Sequence, residues 1–176
     1  MTPLEHTARP DRPSPRYLAD TSVLWRLLRG TIGEPWPERV AGGLVTICPV
    51  AHAELRHGLR PGQDGEPLYL ALDRAFGSVP MREFDKQTEA MAVQRELKQR
   101  GVGSGGRDGP NLMDVVTALT ARFHGLTLVH ADADFDHIAA VCPDIPMIKL
   151  DPGPPVPPDE GGTRRRPSWR RLLDDL

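Results

Sequence analysis

Cysteine is nearly absent: Cys48 and Cys142 are the only two in 176 residues, far apart and outside any CxxC spacing. That excludes a disulfide scaffold and a thiolate zinc site, and it fits a reducing compartment. Aromatic residues are scarce as well, at 5%, so stacking on bases can contribute little to any recognition of nucleic acid. Neither sign of charge is in excess. Lys and Arg number 22 against 24 Asp and Glu, for a net charge of −2, and attraction to a polyanion would have to come from local patches. No apolar run approaches the roughly 18 residues of a membrane span. The opening "MTPLEHTARPDRPSPR" also lacks the apolar centre of a signal peptide. The expectation is a soluble cytoplasmic protein with no membrane partner.

What is present is one domain's worth of chain with an ordinary hydrophobic content of 39%, enough to bury a core. Residues 1–16 hold four prolines among charges and read as a disordered segment. Residues 151–176 begin with "DPGPPVPPDEGG", an extended linker by composition. The ordered domain is therefore expected over 17–150. The tail ends in "SWRRLLDDL", where Trp169, Leu172, Leu173 and Leu176 fall on one helical face and Ser168 can cap it. A short helix over 168–176 is expected. Docking on the domain or a second copy, contact with RNA through the arginines, and disorder all stay open for it.

Inside the domain the patterns alternate. "RYLAD", "GLVTI", "LTLVHA" and "PMIKL" read as strands, and "SVPMRE" as a strand or extended connection. "TSVLWRLLRG", "PVAHAELRHGLR", "EPLYLALDRAFG", "DKQTEAMAVQRELKQRG", "NLMDVVTALTARFHG" and "DADFDHIAAV" read as helices, several closed by glycine. Strands alternating with helices predict an α/β class fold, a three-layer α/β/α sandwich around a central parallel sheet. Ligands in such folds bind beyond the carboxyl ends of the strands.

Acids stand where that rule demands them. Asp20 ends the first strand, Glu54 sits in the helix after the second, and Asp114 is in the first turn of the helix before "LTLVHA". Asp132, Asp134 and Asp136 follow that strand. Carboxylates gathered in one crevice repel each other unless cations bind, and oxygen donors without thiolates select Mg²⁺ or Mn²⁺. Such ions activate water and offset charge on a phosphodiester. Each acid also has a plain structural reading. Asp20 can be an N-cap, Asp114 stands three residues after Asn111 as in a capping pair, and Asp132 and Asp136 suit a helix start. Glu54 can be a solvated helix residue, although it lies beside Leu55 and Val50, partly toward the core.

These stretches together resemble the PIN domain, in particular the toxin half of a VapBC-type toxin–antitoxin pair. The resemblance rests on "YLADTSVLWRLLRG", "VTICPVAHAELRHGL" and "NLMDVVTALTARFHGLTLVHADADFDHI" and covers about 17–150. It implies a three-layer α/β/α fold and an Mg²⁺- or Mn²⁺-dependent endoribonuclease. Asp20, Glu54, Asp114 and Asp132 would be the catalytic metal ligands, with Asp134 as an additional one and Ser22 orienting a carboxylate or water. It further implies a homodimer and a small VapB-like antitoxin as partner. Arg26, Arg29, Arg56, Arg60 and Arg107 are the candidates for tracking the RNA backbone. His130 departs from the family's usual threonine. It either loses a supporting hydroxyl, adds a pH-sensitive group beside the metals, or is structural.

Two rival readings remain. "LVHADADFD" resembles the start of a haloacid-dehalogenase-type phosphatase, with Asp132 as nucleophile and Asp134 as acid/base. Asp136 occupies the position of an expected Thr or Val there, and too little chain follows for that fold. A PIN-like module that binds RNA or a partner with little turnover is the other rival, and the intact acids count against it. A calcium loop starting at Asp132 fails, because His137 and Pro143 stand where Gly and Glu are required.

Overall fold

The computed structural model describes residues 14–58, 65–81, 87–103 and 109–151. The tail with its expected 168–176 helix, most of the N-terminal segment, Arg60 and Arg107 lie outside these residues. Four strands, β1 (Tyr17–Ala19), β2 (Val45–Thr46), β3 (Thr127–His130) and β4 (Met147–Lys149), form one sheet in the order β2-β1-β3-β4. Every pairing is parallel, with Leu18 opposite both Thr46 and Leu128, and Val129 opposite Ile148.

The period-two alternation of strand side chains divides the core. Leu18 and Leu128 face one layer, whose buried partners come from α5 (Gln87–Gln99), α6 (Leu112–Phe123) and α7 (Asp134–Val141). Ala19, Val45 and Val129 face the other, formed with α1 (Thr21–Arg29), α2 (Trp36–Ala41), α3 (Pro49–Gly58) and α4 (Gly65–Phe76). This is the expected three-layer sandwich. Strands buried on both faces need apolar residues in consecutive positions, which is why "TLV" and "YLA" carry no polar alternation.

Helix boundaries follow capping chemistry. Asp20 is the N-cap of α1, its side chain accepting from the Ser22 N–H. Gly30 closes that helix at φ +67°, a conformation costly for residues with a Cβ. Asn111 and Asp114 form a full capping box on α6.

One departure from expectation has a physical cause. α2 was not foreseen in "GEPWPERVAG". The helix has only six residues and starts among prolines, and burial of Trp36 and Val40 holds it in place of any long periodic pattern. Pro37 falls within its first turn, where a missing N–H costs nothing. The described part of "SVPMRE" is, as expected, an extended connection, with a parallel bridge from Ser78 to Ile47 at the β2 edge.

At the amino end of the sheet Arg39 lies over both Tyr17 and Trp36, 4.8 and 4.7 Å from the ring centroids. The two rings meet edge-on at 5.3 Å. Among the described residues no helix is long and apolar enough to cross a membrane.

Candidate active site

Three chain segments meet at the carboxyl end of β1 and β3. The Asp20 N–H donates to the Val129 carbonyl, extending the β1–β3 ladder to the residue that caps α1. Ser22 Oγ accepts the Ala131 N–H at 2.9 Å. The first turn of α1 is thereby tied to the chain leaving β3. Ser22 therefore joins two backbone segments and fixes where the acids after β3 begin.

Asp20 is 7% exposed. Burial pushes its carboxyl above the ordinary value, the Ser22 and Thr21 hydrogen bonds oppose this, and the Glu54 charge adds to the rise. Between them stands Thr21, whose hydroxyl donates to Glu54 Oε2 at 2.5 Å. Thr21 escaped the sequence reading because its partner is 33 residues away. Glu54 itself is exposed. The lean toward the core expected from its neighbours is absent: Val50, Ala51 and Leu55 turn inward, and Glu54 is drawn across to α1.

Asp114 accepts the Asn111 N–H at 2.8 Å through Oδ2. Its carboxyl is pushed up to about 6, first by burial, against the Asn111 hydrogen bond, and then by the charges of Asp20, Asp134 and Glu54. That pattern marks which acids share one electrostatic neighbourhood: Asp20, Glu54, Asp114 and Asp134.

The three aspartates after β3 do different things. Asp132 is exposed, and its Oδ1 accepts the Asp134 N–H at 3.0 Å, a local turn that starts α7. Asp134 is half-buried, and its charge reaches Asp114. Asp136 pairs with Lys149 on β4. The sequence reading ranks Asp132 first and Asp134 as auxiliary; of the two, Asp134 is the one whose charge acts on Asp114.

His130 is 2% exposed, with its ring on Phe135 and Nδ1 2.8 Å from the Asp132 carbonyl. Burial lowers its pKa, so the neutral imidazole donates that hydrogen bond and braces the turn. Of the readings left open for it, the geometry matches the structural one.

The described arginine candidates are less free than the sequence suggests. Arg26 donates to the Asp151 carbonyl, and Arg29 lies 5.9 Å from the Trp25 ring. Arg56 is exposed near the end of α3.

As donors the acids are hard carboxylate oxygens whose charges help to raise Asp20 and Asp114, an imbalance that a divalent cation relieves. Among the described residues no three His, Cys, Asp or Glu side chains stand together as a ready metal-binding group. An ion here would keep several waters, as Mg²⁺ commonly does.

A parallel sheet that delivers acids to one end from successive crossovers defines an α/β domain with an acidic crevice at its switch point. The PIN domain family model matches residues 17–141, and the chain belongs to that family. It is 33% identical over 128 residues to Ribonuclease VapC2 of Mycobacterium tuberculosis (strain CDC 1551 / Oshkosh), covering 72% of this chain and 86% of that protein. It is 31% identical over 126 residues to Ribonuclease VapC51 of M. tuberculosis (strain ATCC 25618 / H37Rv), covering 72% and 87%. Among solved structures it is similar to VapBC2 from Rickettsia felis bound to a DNA fragment from their promoter. There the TM-score is 0.57 at 17% identity, over 77% of this chain and 98% of that one, a likeness of fold alone. The phosphatase reading of Asp132 and Asp134 ends with this fold.

Proposed function

We propose that the chain is a divalent-metal-dependent endoribonuclease and the toxin of a VapBC-type pair. The carrying observation is that Asp114 is raised to about 6 by burial and by the charges of Asp20, Asp134 and Glu54. A carboxylate group that opposes its own ionisation is costly for a fold to keep unless a cation offsets it.

Asp20, Glu54, Asp114 and Asp134 would hold Mg²⁺ or Mn²⁺, with Asp132 presenting Asp134 through its turn. When bound, the ion polarises water toward the phosphorus and offsets charge on the phosphoryl oxygens. The chain's own contribution is placement. Thr21 holds Glu54 toward Asp20, Ser22 locks α1 to the chain after β3, and Asn111 orients Asp114. Asp20, largely buried, faces a drier environment in which its charge acts more strongly.

The relatives named as ribonucleases support the activity, and the VapBC structure supports a small VapB-like antitoxin as partner. Exposed Met91, Leu112, Met113 and Phe123 on α5 and α6 supply apolar surface for that partner or for a homodimer. The test is cleavage of RNA by purified protein with MgCl₂ or MnCl₂, alongside Asp20→Asn and Asp114→Asn. Cleavage is expected from the wild type alone; equal cleavage by all three would refute the assignment.

A further inference from the structure

Beside the acidic crevice, between the second half of α5 and the chain entering α6, lies a cavity of about 420 Å³. Its walls include Gln94, Arg95, Lys98, Gly103, Gly109 and Pro110. Resting on the ribonuclease reading, we propose that this cavity binds a backbone phosphate of the RNA, one flanking the phosphate that is cleaved. Arg95 and Lys98 supply the charge.

Three observations carry it. The first is position. The peptide group joining Pro110 to Asn111 has its carbonyl held by Gln94 Nε2 at 2.9 Å, and its N–H donates to Asp114 Oδ2 at 2.8 Å. A single peptide group thus separates the cavity wall from the catalytic acid. Standard bond lengths place Gln94 Nε2 within about 8 Å of the Asp114 carboxylate. That is the scale of about one or two nucleotides along a strand.

The second is charge. Arg95 and Lys98 are exposed, and among the described residues neither side chain takes part in an ion pair or hydrogen bond. Arg100 and Arg122 on the same side of the fold are instead engaged, Arg100 by Glu96 and the Ala140 carbonyl and Arg122 by Glu89 and Asp144. A substrate carrying one negative charge per nucleotide must be drawn to a crevice lined with carboxylates, so it needs cations at the rim.

The third is shape. The wall is tightly closed where Gly103 and Gly109 meet: a Cβ on Gly109 would stand 3.0 Å from the Gly103 nitrogen, so the two backbones pack directly on each other. Glycine at both positions lets the two chain segments close that end of the cavity with no side chain between them.

The experiment uses the full-length protein and two variants, Arg95→Gln/Lys98→Gln and the charge-preserving Arg95→Lys/Lys98→Arg. Binding of a fluorescein-labelled single-stranded 12-nucleotide RNA is measured on the Asp20→Asn background in EDTA across a salt series. The Gln pair should weaken binding by about ten- to a hundredfold and lower the salt slope by about two, one for each lost phosphate contact. The Lys/Arg exchange should restore both. In cleavage assays the Gln pair should raise KM with kcat nearly unchanged, since the lost contact is made equally in ground and transition states.

An unchanged salt slope and KM would overturn the subsite while leaving the nuclease assignment intact. Absence of cleavage by the wild type would count against that assignment, and the binding series would still decide the subsite. Poly-glutamate binding lost in the Gln pair, with RNA binding unaffected, would overturn the proposal in favour of an acidic protein segment.

Discussion

Replacing Asp114 by Asn isolates the charge that the site holds against itself. The side-chain volume is nearly unchanged and an oxygen remains to accept the Asn111 N–H, so the capping interaction survives while the negative charge goes. Moving a carboxyl from 3.8 to about 6 corresponds to about 3 kcal/mol of differential interaction if it all acted on the fold. Asp114 is only half-buried, and solvent screening reduces this to about 1 kcal/mol. A carboxyl whose pKa is raised in the fold favours the fold while protonated. Its stabilising contribution is complete below 3.8 and is lost as pH rises through about 6. At about pH 8 in EDTA the variant should therefore be more stable than the wild type by about 1 kcal/mol, a Tm gain of about 3–5 °C. At about pH 3.5 the two should coincide. Magnesium should reverse the order. At ten times its Kd it stabilises the wild type by about 1.4 kcal/mol and leaves the variant almost unmoved. Thermal melts across pH, with and without MgCl₂, read all of this. A variant less stable than the wild type at pH 8, or a difference that does not change with pH, would refute the reasoning.

Thr21→Val keeps the β-branched shape but frees Glu54; kcat/KM should fall about tenfold while stability moves by less than about 1 kcal/mol. Unchanged steady-state cleavage would mean that Glu54 needs no such hold. Ser22→Ala leaves the Ala131 N–H without its partner and should cost about 1–2 kcal/mol in urea unfolding. His130 is kept neutral by burial, so below 6.5 the unfolded chain takes up a proton that the fold refuses, and this residue's contribution to stability falls with pH there. His130→Thr should lose that slope, which urea midpoints at about pH 5 and 7.5 would show.

The layers were legible because strands buried on both faces and helices with one apolar side write different periods into the sequence. The acids were legible for a related reason: Asp20, Glu54, Asp114 and the aspartates after β3 each sit at a fixed offset from such an element. What escaped depends on contacts between distant positions. Thr21 gains its role from a residue on another helix. The action of the Asp134 charge on Asp114 depends on how α7 packs beside α6. α2 is held by Trp36 and Val40 against a core that no local pattern reveals. Arg26 looks like a free cation in sequence, and tertiary contact with the Asp151 carbonyl engages it.

The strand order β2-β1-β3-β4 puts the first strand of the domain in the middle of the sheet. Its partner β3 begins at Thr127, with Tyr17 paired directly to it. During synthesis β1 must therefore wait for more than half of the chain before its second edge is filled, and such long-range pairing is slow. Asp114 and Asp134 lie on the same late part of the chain as β3. A ribosome-bound fragment ending before α6 lacks both acids as well as the strand that seats Asp20. The acidic site is therefore assembled only once nearly the whole domain has emerged.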